Sequence, residues 1–232
     1  MIFSFPTWPA AYFACLCLFF VSPVAVSVAA ESQRDITDYS FPNLPGKIIK
    51  TVRYTDSLGD NAVLFTETDI FFSPEDALWN KKNNAPDVHS SSRSKELAAY
   101  NFSLKKDGAA HQNWRVYDFM RGCSAADMHA EFEQNALQTT DLDNNGIAEV
   151  WMVYYLTCRN DPSPLNLKII MYEGQQKYAL RGETRIQMTK SAHMGDAYTL
   201  DAAFGAGPAE FTSFAKGLWE KYKYKGGPRL QE

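Results

Sequence analysis

The stretch Val150-Trp151-Met152-Val153-Tyr154-Tyr155-Leu156 carries apolar or aromatic side chains at odd and even positions alike. Successive side chains of a strand point to opposite faces of its sheet, so a strand of this kind belongs in the middle of a sheet covered on both sides. The C-terminal region offers one cover. Between Ala209 and Lys223, the residues Phe211, Phe214, Ala215, Leu218, Trp219 and Tyr222 recur at helical spacing, which predicts an amphipathic helix. Gly226-Gly227-Pro228 stops it.

Other short runs rich in β-branched and aromatic residues recur along the chain: Ile48 to Tyr54, Ala62 to Glu67, Glu96 to Leu104, Asn113 to Phe119, Ala136 to Thr140, Ile147 to Thr157, Leu167 to Glu173, Lys177 to Arg181 and Thr184 to Met188. These read as strands. In the third, Ala98, Tyr100, Phe102 and Leu104 share one face, and Ala99, Asn101 and Ser103 the other. Asp56 to Asn61, Lys106-Asp107-Gly108 and Glu173-Gly174 are turn signals too short to hold a crossover helix, so the flanking runs pair antiparallel. A short helix is expected to start at Ser73-Pro74-Glu75-Asp76, and Asn80 to Ser94 reads as a long polar loop. No repeat of fixed period supports a propeller or solenoid. The expected fold class is α+β, predominantly antiparallel β: one β-rich domain with a C-terminal helix packed on the sheet.

Residues 1–30 contain no Lys, Arg, Asp or Glu, and Trp8 to Ala30 ends in Val28-Ala29-Ala30, small residues of the kind a signal peptidase accepts. The domain expectation is therefore a signal peptide over 1–30, a Pro-rich lead-in loop over 31–46 and a single β-rich domain over 47–232. The stretch departs from a usual signal in having no basic residue before Arg34. Pro9, Pro23 and the small-residue end favour cleavage over a retained anchor, so no membrane span is expected after processing. The bulky Tyr12-Phe13-Ala14 before Cys15 argues against lipidation. The expected location is periplasmic, cell-surface or extracellular. All 23 basic and 27 acidic residues lie beyond residue 30, a mildly acidic balance without the basic face that nucleic acid requires.

Export changes how the cysteines read. Cys15 and Cys17 leave with the signal, so Cys123 and Cys158 remain, and in an oxidising compartment they are expected to form one bridge.

The sharpest motif is Asp141-Leu142-Asp143-Asn144-Asn145-Gly146-Ile147-Ala148-Glu149. Around a hard cation, oxygens at positions 1, 3 and 5 converge, Gly at 6 allows the sharp turn, position 7 offers its carbonyl and position 9 can close the shell. That assigns Asp141, Asp143, Asn145, the Ile147 carbonyl and Glu149 as ligands of a structural Ca2+. Position 12 is Met152 and the exit is a strand, so the motif is not an EF-hand. The alternative is an Asn-Gly hairpin turn that binds nothing.

Trp114-Arg115-Val116-Tyr117-Asp118-Phe119, Cys123, the Asp141 to Glu149 motif, Cys158-Arg159, Asp161, Ser163-Pro164, Lys168-Ile169-Ile170-Met171-Tyr172 and Lys177-Tyr178-Ala179-Leu180-Arg181-Gly182 occur in one order. Over these residues the chain resembles an exported bacterial family of largely uncharacterised proteins named for surface polysaccharide biosynthesis. Asn160 and Pro162 depart from that family's pattern. The resemblance implies an envelope location and a link to surface glycans, and carries over no catalytic residues.

No His-Glu-x-x-His, Gly-x-Ser-x-Gly or Walker loop is present, and His89, His111, His129 and His193 are scattered, with His129 and Glu131 reading as a solvated pair. The expected function is thus a non-catalytic exported envelope protein that meets a glycan or an envelope protein. The alternative is an envelope glycan hydrolase using paired carboxylates, for which Asp118, Asp161 and Glu173 are candidates. An inhibitor of hydrolases is a third, weaker reading.

Overall fold

The runs of the N-terminal half close one antiparallel sheet in the computed structural model, which describes residues 35–72 and 92–226. β1 (Lys47–Asp56), β2 (Gly59–Glu67), β3 (Arg93–Leu104) and β4 (Ala110–Cys123) pair in that order, each antiparallel to the next. The first hairpin turns over Ser57 and Leu58, with Asp56 accepting from the Leu58 N–H at 2.9 Å and Gly59 at a φ of 116°. Only glycine adopts that φ without strain.

A second sheet is built from β5 (Asp127–Phe132), β6 (Gln138–Thr140), β7 (Glu149–Arg159), β8 (Asn166–Glu173), β9 (Gln176–Glu183) and β12 (Tyr198–Leu200), in the order β12-β9-β8-β7-β5. β6 pairs with the start of β7, on residues beyond those that β5 takes, and a 3-10 turn at Gln134–Ala136 joins β5 to β6. β10 (Arg185–Gln187) and β11 (His193–Gly195) form a small separate hairpin. α1 (Ala202–Ala206) and α2 (Ala209–Tyr222) follow.

β7 sits between two apolar layers, as its two-faced sequence requires. Val150, Met152, Tyr154 and Leu156 pack with Val63, Phe65, Leu97 and Val116 of the first sheet. Trp151, Val153 and Tyr155 pack with Phe211, Ala215, Leu218 and Trp219 of α2. Each such side chain stabilises the fold by about 1.5–3 kcal/mol when fully buried. The protein is accordingly α+β and mostly antiparallel β, with a C-terminal helix packed on a sheet.

Asp196 holds the helix end in place. Its carboxylate accepts from Trp219 Nε1 at 3.2 Å and Arg185 Nη1 at 2.9 Å and pairs with Lys223 Nζ at 3.1 Å, while the Arg185 N–H donates to the Lys223 carbonyl at 2.5 Å. The helix ends at Tyr222, with Lys223 as its cap.

The segment before β1 is irregular apart from a 3-10 turn at Ile36–Asp38, yet it belongs to the core. Ile36, Tyr39, Phe41 and Leu44 lie over Ala62, Leu64, Ala98, Tyr100, Phe102 and Leu104, and Phe41 meets Phe102 edge-on at 5.0 Å between centroids. The face of β3 turned toward the second sheet is therefore the one carrying Ala99, Asn101 and Ser103.

Cys123 at the end of β4 and Cys158 near the end of β7 form a disulfide, with Cα atoms 5.6 Å apart. It staples the two sheets, and is compatible with a protein outside the cytoplasm. Among the described residues no helix is long and apolar enough to cross a membrane.

Among the boundaries that differ from those expected, three have a local cause. Ala136 to Thr140 splits into the end of a 3-10 turn and β6, because β7 offers ladder partners only to Gln138–Thr140 at that point. The strand expected from Ile147 starts at Glu149, since Gly146, Ile147 and Ala148 are spent on the loop. The loop expected to reach Ser94 ends earlier, because Ser94 is in β3 with its N–H bonded to the Phe71 carbonyl at 2.7 Å. β5, β11, β12 and α1 were not foreshadowed by composition. The expected leader over 1–30, the helix start at Ser73, most of the 80–94 loop, His89 and the Gly227-Pro228 stop lie outside the described residues.

Candidate metal centre

The Asp141 to Ala148 loop joins β6 to β7, and Glu149 is the first residue of β7. The loop turns on Asn144 at a φ of 57° and Gly146 at 80°. The first is tolerated by asparagine, and the second is a glycine position for a further reason: a Cβ there would collide with Ser57 Oγ. Asp141 Oδ2 accepts from the Gly146 N–H at 3.2 Å, Asp143 Oδ1 from the Asn145 N–H at 3.2 Å and Asn145 Oδ1 from the Ile147 N–H at 2.7 Å.

These bonds curl the loop so that the Asp141, Asp143 and Glu149 carboxylates each offer an oxygen within 4.8 Å of the others. Two oxygens on opposite sides of a cation that binds at about 2.3–2.6 Å are at most about 5 Å apart, so the three can hold a metal ion. Asp141 is exposed, Asp143 partly buried and Glu149 fully buried. Glu149 is also the best fixed: Thr140 Oγ1 donates to its Oε2 at 2.6 Å and the Leu142 N–H to its Oε1 at 3.0 Å, while Trp151 Nε1 orients the threonine at 2.8 Å. Burial pushes the Glu149 carboxyl up, against the pull of the Thr140 and Leu142 hydrogen bonds, and the charges of Asp143 and Asp141 push it further. A cation among the three would reverse that repulsion.

Asn145 is held differently from the convergent oxygen expected of position 5. Its Nδ2 donates to Asp143 Oδ2 at 2.9 Å and to Glu173 Oε1 at 2.6 Å, so the amide ties the loop to the end of β8. On the other side the loop is tied to the first sheet. The Ser57 N–H donates to the Gly146 carbonyl at 2.7 Å and the Ala148 N–H to Asp56 Oδ2 at 3.1 Å. Asp56, Thr140 and Glu173 were not picked out as supports of this loop from sequence. The one cue for Glu173 is register, since it lies opposite Glu149 in the β7–β8 pair.

Asp118, Asp161 and Glu173 do not come together. Asp118 accepts from Lys168 Nζ at 2.5 Å and the Tyr154 hydroxyl at 3.0 Å. Glu173 lies five residues further along β8 than Lys168, about 17 Å at strand rise. Asp161 caps the Ser163 N–H in the turn after β7. An open groove of about 660 Å³ between Leu142 and the Phe214, Gly217 and Lys221 side of α2 has Glu210 as the one acid among its described lining residues. His129 is not a simple solvated pair: its Nε2 meets Asp127 at 2.8 Å and its Nδ1 meets Glu131 Oε1 at 3.0 Å, the oxygen that Lys225 Nζ also meets at 3.0 Å. No family model, curated protein or solved structure matches the chain.

Proposed function

We propose that this is an exported, non-catalytic protein of the cell envelope whose Asp141 to Glu149 loop binds calcium as a structural ion, acting in surface polysaccharide biosynthesis as its resemblance implies. The observation that carries the metal part is the meeting of the Asp141, Asp143 and Glu149 carboxylates at the point where both sheets are tied to one loop. All three ligands are hard oxygens with no nitrogen or sulfur among them, which favours calcium over zinc, and a loop with an exposed side leaves room for the waters of a large coordination shell. The disulfide between Cys123 and Cys158 supports the exported location.

The role assigned to the ion is mechanical. With the repulsion among the three carboxylates relieved, the start of β7 stays in register, and a one-residue slip there would exchange its two buried faces. Thermal unfolding of the protein in chelator and in calcium tests this. Free calcium at about 100 times its dissociation constant should add about 2.7 kcal/mol. Asp141→Ala should lose most of that gain, and magnesium should replace calcium poorly. Equal midpoints in the two buffers would leave the loop as an Asn-Gly turn.

A further inference from the structure

The inner face of the first sheet changes character along its length. At one end Val63, Phe65, Leu97, Ala99 and Val116 pack against the second sheet. Toward the β1–β2 turn the same alternation presents Tyr54, Asn61, Asn101 and Ser103, joined by Asn113 at an irregularity in the β3–β4 pairing. Asn61 and Asn101 are only 3% and 2% exposed. Continuing the apolar stripe would stabilise the sandwich more, because a buried amide costs free energy unless it is hydrogen-bonded.

The polar groups hold one another in fixed orientations. Asn113 Nδ2 donates to Asn101 Oδ1 at 2.7 Å, Asn101 Nδ2 to the Tyr54 oxygen at 2.9 Å, Ser103 Oγ to Asn113 Oδ1 at 2.9 Å, and Asn61 Nδ2 to Asp56 Oδ1 at 3.2 Å and the Gly59 carbonyl at 2.8 Å. Capacity is left over. Each of the Asn101 and Asn113 amides has a second N–H, the Tyr54 hydroxyl has its own proton, and Asn61 Oδ1 takes no hydrogen bond from another described residue. Burial holds the Tyr54 phenol up at about 12, so it stays protonated as a donor.

These side chains, together with Leu58, Gly174 and Gln175, line a cavity of about 220 Å³. Among the described residues no Lys, Arg or His lines it, so an anion finds no counter-charge there. Asp56, the one acid among the described lining residues, already accepts from Leu58, Asn61 and Ala148, which disfavours a cation. An apolar guest would leave the amides unmatched. Hydroxyl groups, which donate and accept at once, match them. At about 220 Å³ the cavity has room for a sugar ring.

We infer that the cavity between the β1–β2 turn and the β8–β9 turn binds one neutral hexopyranose, through Asn61, Asn101, Asn113 and Tyr54. The inference deepens the envelope-glycan reading above and rests on it for the biological source of the sugar.

The test is NMR on the full protein with free glucose, galactose, mannose and N-acetylglucosamine, with their methyl glycosides, and with glucuronate and glucosamine as charged controls. At least one neutral sugar should bind with a dissociation constant of about 1 mM or below and shift the side-chain amide signals of Asn61, Asn101 and Asn113. Ser103→Leu, which fills the cavity from a partly exposed position, should weaken binding at least about tenfold at unchanged dispersion of the other signals. Binding of methyl glycosides identifies the end of a glycan as the source, and binding of free sugars alone identifies a monosaccharide. Unshifted asparagine signals with every neutral sugar overturn the inference, as does tighter binding of glucuronate or glucosamine, or full affinity in Ser103→Leu. Each titration is run in chelator and in calcium. Sugar binding in both keeps the cavity assignment even where the calcium reading fails.

Discussion

Asp56 and Ala148 lie 92 residues apart, and the Asp56 carboxylate accepts the Ala148 N–H at 3.1 Å. One end of this bond is the first hairpin of the first sheet, and the other is the last residue before β7, an inner strand of the second. Because the same carboxylate also holds Leu58 and Asn61, a single side chain shapes the turn, the cavity wall and the exit of the acidic loop.

Asp56→Ala should therefore cost about 2–3 kcal/mol, since three N–H donors lose a charged acceptor in a partly buried place. It should also shrink the calcium-induced gain in stability, because the loop exit is no longer tied down. Denaturant unfolding with and without calcium measures both. A change within about 0.5 kcal/mol, as for an ordinary surface substitution, would show that the bond organises nothing.

Removal of the Cys123–Cys158 bridge by the double Ser variant should destabilise the fold by about 4 kcal/mol on the chain-entropy account, given the sequence separation of 35. For a chain of this size that lowers the melting midpoint by roughly 10 °C. The same drop should follow reduction of the wild type, and reductant should leave the Ser variant unchanged.

Trp219 is fully buried, packs on Tyr198 with centroids 5.0 Å apart and bonds to Asp196. Trp219→Ala should cost about 3–5 kcal/mol. Trp219→Phe should recover most of the packing and leave only the loss of the indole N–H. If neither variant lowered the unfolding midpoint measurably, the helix would not be held through this side chain.

The Asp127–His129–Glu131 cluster sets a pH dependence. The hydrogen bond from His129, helped by Lys225, holds the Glu131 carboxyl down at about 2, and Glu131 together with Asp127 pulls the His129 imidazolium above its usual range. A depressed carboxyl stabilises the fold above its unfolded value of about 4.3, and that contribution is lost as pH falls toward about 2. A raised imidazole stabilises below about 6.5 and its contribution is lost as pH rises through the folded value. The cluster thus contributes most between about pH 4.5 and 6.5. Between pH 5 and 2 the wild type should lose about 1–2 kcal/mol more than His129→Gln, after allowance for partial exposure. Parallel pH profiles for the two proteins would remove the cluster from the account.

Much of this molecule is legible in its residues taken in order. The two-faced Val150 to Leu156 run requires cover on both sides, the Phe211 to Tyr222 spacing supplies a helix, the short turns require antiparallel neighbours, and Cys123 and Cys158 pair. Those are local patterns, or pairings with few alternatives. The Asp141 to Glu149 spacing likewise located the acidic loop, and the convergence of three carboxylates follows from turns that the loop makes within itself.

What only the tertiary structure decided depends on partners distant in sequence. β5 alternates polar and apolar residues over Asp127 to Phe132, but Asp127, Ala130 and Glu131 have weak strand propensity, and the run becomes a strand because β7 offers it a ladder. Asn101 and Ser103 stand on the less apolar face of β3, yet that face meets the second sheet, because Ile36 to Leu44 cover the more apolar one. A strand's alternation divides its side chains into two sets and does not say what covers each. Which set meets the other sheet, and so where the polar cavity and the Asp56 bond arise, is chosen by the total apolar area buried when all layers close together.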